Sequence, residues 1–405
     1  MSTSPQRSPS HNPLFQEESL YIPLPLERVA HSTRIVVDLD QFCTNLISLR
    51  QRFPKVKFCL PIKANGYGHG FLPIARAAAS CSIDFLAVSC LQEAVFLREN
   101  HLSLPILVLG AIAKEEIPCL LSYNLDISVA SLLKAHLLSQ TCIQLGKRAF
   151  VHLKIDTGMS RVGVQDRNGE TFFHTTAALP GLVIRGIYSH LACSNHPQNP
   201  HTERQICRFA HLVARCKQAN PTLISHLANS GALCFYSSSL FDMVRPGLLA
   251  FGYSPNKAIC PVQKLSLAPC LSLRSHISFF KVVEAGTGIG YEHTYYTKTR
   301  ERILTLPIGY GDGYPRKLSN RAQVLIRGKR YPVVGNICMD QCMISLGEGG
   351  EAYVGEEVVL IGKQGEECIT IEELASWAET IPCEILTSFT SRIPRVYAHS
   401  ANHSS

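Results

Sequence analysis

The stretch KFCLPIKANGYGHG (57–70) sets out the architecture of the chain. Its first residues are apolar and too few for a helix, as in a strand buried on both faces. Lys63 stands where that strand would end, a glycine-rich loop follows, and residues 70–79 suit a helix. Outward from this unit the same texture recurs in FLAVS (85–89), PILVLG (105–110), DISVA (126–130), AFVHLKID (149–156), VIRGIYSH (183–190), LISHLAN (223–229) and DMVR (242–245). Helical stretches at 90–99, 131–145 and 203–218 lie between them. Strands alternating with helices predict parallel βα units, hence the α/β class. Eight such strands suggest an N-terminal (β/α)8 TIM-like barrel, with an open doubly wound sheet as the alternative that periodicity leaves standing.

After about residue 266 the helical pattern largely stops. LSLRSHISFF, RILTLPIGY, AQVLIRG, RYPVVGN, CMISL and EVVLIG read as strands between glycine-rich turns, a C-terminal mostly-β domain. One helix is expected near 370–380, where Thr370 can cap and Glu373 stands three residues on. Residues 1–30, rich in Ser, Pro, Gln and Asn, read as a flexible arm. The expected domains are therefore 1–30, 31–265 and 266–400.

Composition narrows the class of function. At 405 residues, 46% apolar and 17% charged, the chain is an ordinary globular protein with a large core. A net charge of +8 without a dense Lys/Arg tract does not point to nucleic acid. The 16 cysteines are scattered, without zinc-ligand spacing, as in a reducing compartment. With neither a signal peptide nor a long apolar run, the expectation is a cytoplasmic protein with no membrane partner.

In a barrel, reactive groups gather at the carboxyl ends of the strands. There the sequence puts Lys63, Ser89, Asp156, His190, Asn229–Ser230 and Arg245. A lysine at the mouth of an apolar strand has its pKa lowered by desolvation, which suits an amine that must attack a carbonyl in its neutral form.

Lys63-Ala64-Asn65-Gly66-Tyr67-Gly68-His69-Gly70 resembles the pyridoxal-phosphate attachment segment of the alanine racemases. The likeness extends from about Ile35 to Tyr397. It implies a pyridoxal 5'-phosphate enzyme that interconverts L- and D-alanine for peptidoglycan, with Lys63 holding the cofactor. LKIDTGMSRVG (153–163) resembles the family's segment for the substrate carboxylate, which implies that Arg161 forks onto that carboxylate. Lys154 matches a lysine that is carbamylated in many members and orients that arginine.

GIYSHLA (186–192), HLANSGA (226–232) and DMVRPGLLAFG (242–252) complete the resemblance in the barrel. They imply His190 beneath the cofactor ring and Arg245 facing its nitrogen. Ser230 and the Gly247 and Leu248 amides would hold the phosphate, with Asn229 and Tyr67 also at the cofactor. Most pyridoxal enzymes pair the ring nitrogen with a carboxylate; an arginine there disfavours its protonation and suppresses side reactions.

In the β domain GIGYEHTYY (288–296), LPIGYGDGYPR (306–316) and GNICMDQ (335–341) resemble the family's partner-subunit segments. They imply that Tyr291 of the partner subunit is the second acid/base group, supported by Tyr310, Met339 and Asp340 in a homodimer with shared sites. Three positions depart from the family: Cys383 where a tyrosine is common, Glu292 where glycine is usual, and Asn195 where an acidic residue is frequent. Rival readings are a racemase of serine or another small amino acid on the same fold, a barrel decarboxylase, and a non-catalytic pyridoxal-phosphate-binding paralogue.

Overall fold

A computed structural model describes residues 33–256 and 265–398; the arm expected at 1–30 lies outside them. Two compact units account for the described chain. One holds 37–271 with 380–387 and the last described residues, and the other holds the residues up to Val36 with 272–379 and 388–396.

The first unit is the barrel. Its strands are β1 (Lys57–Pro61), β2 (Phe85–Val88), β3 (Ile106–Val108), β4 (Asp126–Val129), β5 (Ala149–Asp156), β6 (Leu182–Tyr188), β7 (Ile224–Asn229) and β8 (Met243–Arg245). Each pairs in parallel with the next, and β8 pairs with β1 through Met243 opposite Lys57. That last pairing closes the cylinder and excludes the open sheet. Each of the eight apolar runs in the sequence is one of these strands.

Helices Phe71–Ser80, Leu91–Glu99 and Leu132–Leu145 lie where the apolar spacing puts them. The helix expected from residue 203 starts earlier, at Pro200, because Asn199 caps it by accepting from the His201 N–H and proline suits the first helical turn.

The barrel interior has two halves. Cys59, Phe85, Ala87, Leu107 and Met243 make one continuous apolar cluster. On the other side stand Asp126, Ser128, His152, Lys154 and His226, all buried. Gly186 on β6 is small for a reason on this side, since a Cβ there would overlap the His152 ring.

The second unit is built on a ten-stranded sheet. Phe279–Val283 pairs antiparallel with Glu301–Leu306, which pairs antiparallel with Cys342–Ser345. Ile289, Ile303 and Val334 form part of its core. The expected helix is Ile371–Trp377, with a reciprocal box in which Thr370 Oγ1 accepts from the Glu373 N–H and Glu373 Oε2 from the Thr370 N–H.

Gly186→Ala should destabilise the chain by about 1–3 kcal/mol, the usual cost of overpacking a core. An unchanged urea midpoint would show that the His152 ring has room to yield.

Candidate active site

Of the residues expected at the strand ends, Lys63, Ser89, His190, Asn229, Ser230 and Arg245 line one cavity of about 400 Å³. Tyr67, Lys154, Arg161, Gly247 and Leu248 line it too. Asp156 is the exception. Its Oδ1 accepts from the N–H groups of Gly158, Met159 and Ser160 at 2.9–3.1 Å, so it folds the loop that carries Arg161. Burial would raise this carboxyl's pKa, but the three amides and Lys154 outweigh it and hold the pKa below the usual value.

Lys63 leaves β1 into a strained turn. Residues 64–68 all have positive φ, from 53° to 81°. The left-handed conformation costs about 1–2 kcal/mol for each non-glycine residue, here Ala64, Asn65 and Tyr67. Glu93 stabilises the turn: one carboxylate oxygen accepts from the Ala64 N–H at 2.8 Å and the other from the Ser89 N–H at 2.7 Å. Behind it the His69 ring stacks on Phe251 at 4.4 Å. Burial and then Arg161 lower the Lys63 pKa, with Glu93 and Cys383 opposing.

Arg245 closes the floor of the cavity at 4% exposure. Its Nη2 donates to the carbonyls of Ser189 (2.7 Å) and Leu227 (3.1 Å) and lies 3.3 Å from His190 Nδ1. Its Nη1 meets His226 Nδ1 at 2.7 Å. Burial, followed by Arg245, Lys154, Arg161 and Lys63, pushes the His190 pKa well down, which leaves a neutral ring at neutral pH. Lys154 Nζ lies 4.2 Å over the Tyr188 ring and makes no hydrogen bond among the described residues. Burial first, then Arg245 and Arg161, drive its pKa well below the ordinary lysine value.

At the other end Ser230 Oγ accepts from the Gly247 N–H at 2.9 Å and the Leu249 N–H at 3.4 Å. Gly247 keeps a small hollow open there: a Cβ would stand 2.9 Å from the Tyr67 hydroxyl. Asn229 Oδ1 accepts from Ser194 Oγ and the Ala232 N–H, so its side chain caps the Ser230–Phe235 helix. Among the described residues that line the cavity there is no Asp or Glu, whereas Lys63, Lys154, Arg161 and Arg245 are there. A wall with two arginines and two lysines suits an anionic occupant.

Tyr291, Tyr310, Met339 and Asp340 belong to the second unit and form a separate cluster of loops. The Tyr310 N–H donates to Cys338 O and the Gly311 N–H to Met339 O, which ties two of those loops. Asn336 Nδ2 donates to Tyr291 O and to Glu292 Oε2, both at 2.9 Å, tying a third. Glu292 sits at φ 63°, a backbone that favours glycine, and Arg316 Nη2 stands 3.5 Å from its carboxylate. Tyr291 is 71% exposed, and Tyr310 and Met339 are also exposed. Asp340 pairs with Arg392 at 2.6 Å, which also meets Asp312.

Glu93 and Tyr188 went unremarked in the sequence, where nothing sets an ordinary helix carboxylate or strand tyrosine apart. Cys383 lines the cavity from residues 380–387, which pack with the barrel although they are distant in sequence.

So built, the cavity at the barrel mouth suits a small anionic molecule held beside a lysine amine. Residues 37–255 match the alanine racemase N-terminal domain and residues 270–397 the alanine racemase C-terminal domain. The alanine racemase of Symbiobacterium thermophilum is 41% identical over 363 residues, which are 89% of this chain and 96% of that one. Among solved structures, alanine racemase from Clostridium difficile 630 superposes with a TM-score of 0.85 at 33% identity, covering 91% of this chain and 96% of that one. Bacillus anthracis alanine racemase with bound L-Ala-P gives 0.84 at 33% identity over the same shares. The chain belongs to the alanine racemase family, pyridoxal-phosphate-dependent isomerases that interconvert L- and D-alanine.

Competitive labelling of the cofactor-free chain should return a Lys63 pKa below that of an exposed lysine. Its neutral form then persists to lower pH. Arg161→Ala removes a neighbouring cation and should move that pKa back up; a Lys63 that titrates like bulk lysine in both proteins would contradict the assignment.

Proposed function

We propose that this alanine racemase uses two groups on opposite faces of the substrate Cα, Lys63 on one and Tyr291 of the partner subunit on the other. The observation that carries the proposal is Lys63 itself, a lysine of lowered pKa in a cavity where no described lining residue is a carboxylate.

The residues fit pyridoxal 5'-phosphate. A cavity of about 400 Å³ is in the range of cofactor sites. The hollow kept open at Gly247, beside Ser230 and Tyr67, suits a phosphate, with the Leu248 amide close by. Arg245 is the group available to a ring nitrogen. Bound there, the cofactor supplies an aldehyde that condenses with amines and a conjugated ring that withdraws electrons from Cα.

The chain's residues do the rest. Arg161 binds the alanine carboxylate as a fork, from a loop shaped by Asp156. Its orientation is the task we assign to Lys154, whose neutral amine is the form that can take up CO2 as a carbamate. His190, held neutral and accepting from Arg245 at Nδ1, has its Nε2–H to donate to the tyrosine oxygen, which steadies the phenolate of a group that free in water titrates near pH 10. Lys63 Nζ takes or returns the Cα proton on one face and the Tyr291 Oη on the other. Arg245, by disfavouring protonation of the ring nitrogen, keeps the proton returning to Cα. Tyr310, Met339 and Asp340 stand with Tyr291 on the exposed loop cluster that a second copy would present, which makes the homodimer the working unit. Supplying D-alanine for peptidoglycan in a bacterial cytoplasm is the role this activity suits.

A coupled D-alanine assay with and without added pyridoxal phosphate tests the reading, and a panel of other L-amino acids tests its selectivity. Tyr291→Phe should abolish most racemisation in both directions, as an equilibrium constant of one requires, while solvent exchange of the Cα proton persists for one enantiomer only; a mild loss, or equal exchange from both enantiomers, would remove Tyr291 from its role. Lys63→Ala and Tyr291→Phe chains, each inactive alone, should on mixing recover about a quarter of wild-type activity through random pairing into dimers. Absence of any recovery from dimers shown to have exchanged would sink the shared site.

A further inference from the structure

Barrel cores are ordinarily filled by branched apolar side chains, and a buried polar line through one calls for a reason. Here such a line runs from the carboxyl end to the amino end. Arg245, the last residue of β8, meets His226 Nδ1 at 2.7 Å. His226 Nε2 lies 2.9 Å from His152 Nδ1. His152 Nε2 lies 3.2 Å from Oδ2 of Asp126, the first residue of β4. Both Asp126 oxygens accept from Arg185 Nη1 at 2.8 Å. His226 and His152 are fully buried and Asp126 is 2% exposed.

The two ends dictate what lies between. A guanidinium only donates, so His226 Nδ1 must carry a lone pair and its Nε2 the hydrogen. His152 Nδ1 must then accept, and its Nε2–H is left for a carboxylate, which only accepts. Starting from Asp126 gives the same answer. With neutral rings one pair of tautomers satisfies every contact. Without the carboxylate, His152 could hold its hydrogen on Nδ1 and set donor against donor at His226.

We propose that Asp126 is a positioning residue that acts through His152 and His226 to fix the acceptor facing Arg245, and so the attitude of the Arg245 guanidinium at the cavity floor. Its consequence for the cofactor rests on the reading of Arg245 as the group facing the ring nitrogen; the chain of contacts does not. Arg245, His152 and Lys154 face His226, on which the Tyr188 ring stacks at 4.7 Å. Asp126, Arg185, Arg245 and the edge of Phe85 surround His152. Burial followed by Arg245 lowers the His226 pKa well below its ordinary value, and burial lowers that of His152 against the pull of Asp126. Both rings therefore stay neutral at neutral pH.

Nitrogen-15 NMR of histidine-labelled full chain, with and without pyridoxal phosphate, reads the tautomers directly. In the wild type His226 and His152 should both carry hydrogen on Nε2 only. In Asp126→Asn the amide oxygen is drawn to Arg185, which turns the NH2 donor toward His152 Nε2; that end then demands the opposite tautomers to those Arg245 demands, and both rings should become mixed. The substitution should also shift the absorption maximum of the bound cofactor and lower kcat about tenfold with KM for alanine nearly unchanged, as loss of an outer supporting group does. Arg185→Gln, which leaves the carboxylate, should leave the His226 tautomer as it is. A wild-type ring with hydrogen on Nδ1, which needs no variant to detect, would overturn the proposal. So would an Asp126→Asn spectrum identical to the wild type, or a His226 tautomer lost in Arg185→Gln. Mixed tautomers with an unaltered cofactor spectrum and kcat would keep the chain of contacts and remove Arg245 from the ring nitrogen.

Discussion

A guanidinium at 4% exposure, with no carboxylate touching it among the described residues, is the constraint around which the barrel's polar half is arranged. Burying an unpaired charge costs several kcal/mol unless its donors are satisfied. Here two carbonyls, two imidazole nitrogens and the face of Tyr188 share the task. Arg245 in turn sets the protonation of its neighbours. His190, His226 and Lys154 are all pushed toward their neutral forms by burial and by its charge. Burial first, and one buried cation after it, thus favour uncharged nitrogens around the cavity floor.

The barrel supplies rigidity, and the functional groups sit where the backbone departs from it. The left-handed turn after Lys63 would relax in isolation; it persists because Glu93 binds two amides across neighbouring loops and His69 is stacked from behind. The loop of Arg161 is held in the same manner, by three amides on Asp156. In both cases a carboxylate outside the cavity shapes backbone that faces it, and none of the described lining residues is acidic.

Much of this was legible in the sequence. The strands of the barrel and the capping box at Thr370 follow from local chemistry, because a buried parallel strand needs a short apolar run and a helix start needs an acceptor. The lysine, histidine and arginine at the strand ends were legible too, since a barrel puts those positions at one mouth. Asp156 sat at such an end and proved to fold a loop, and Asn229 uses its side chain to cap a helix. Position along a strand says which end a residue occupies but not which partner its side chain finds.

The amino-acid order alone determined the alternation of strand and helix, the lysine at the end of β1 and the family to which the chain belongs, because each depends on residues near one another along the chain. Tertiary structure decided what depends on distant residues meeting. It closed the sheet through β8 and β1, brought Cys383 to the cavity, and joined Asp126, His152, His226 and Arg245 in one line of contacts. Hydrogen bonds and charge interactions act over a few ångströms of space, and which side chains come that close is settled only when the barrel closes.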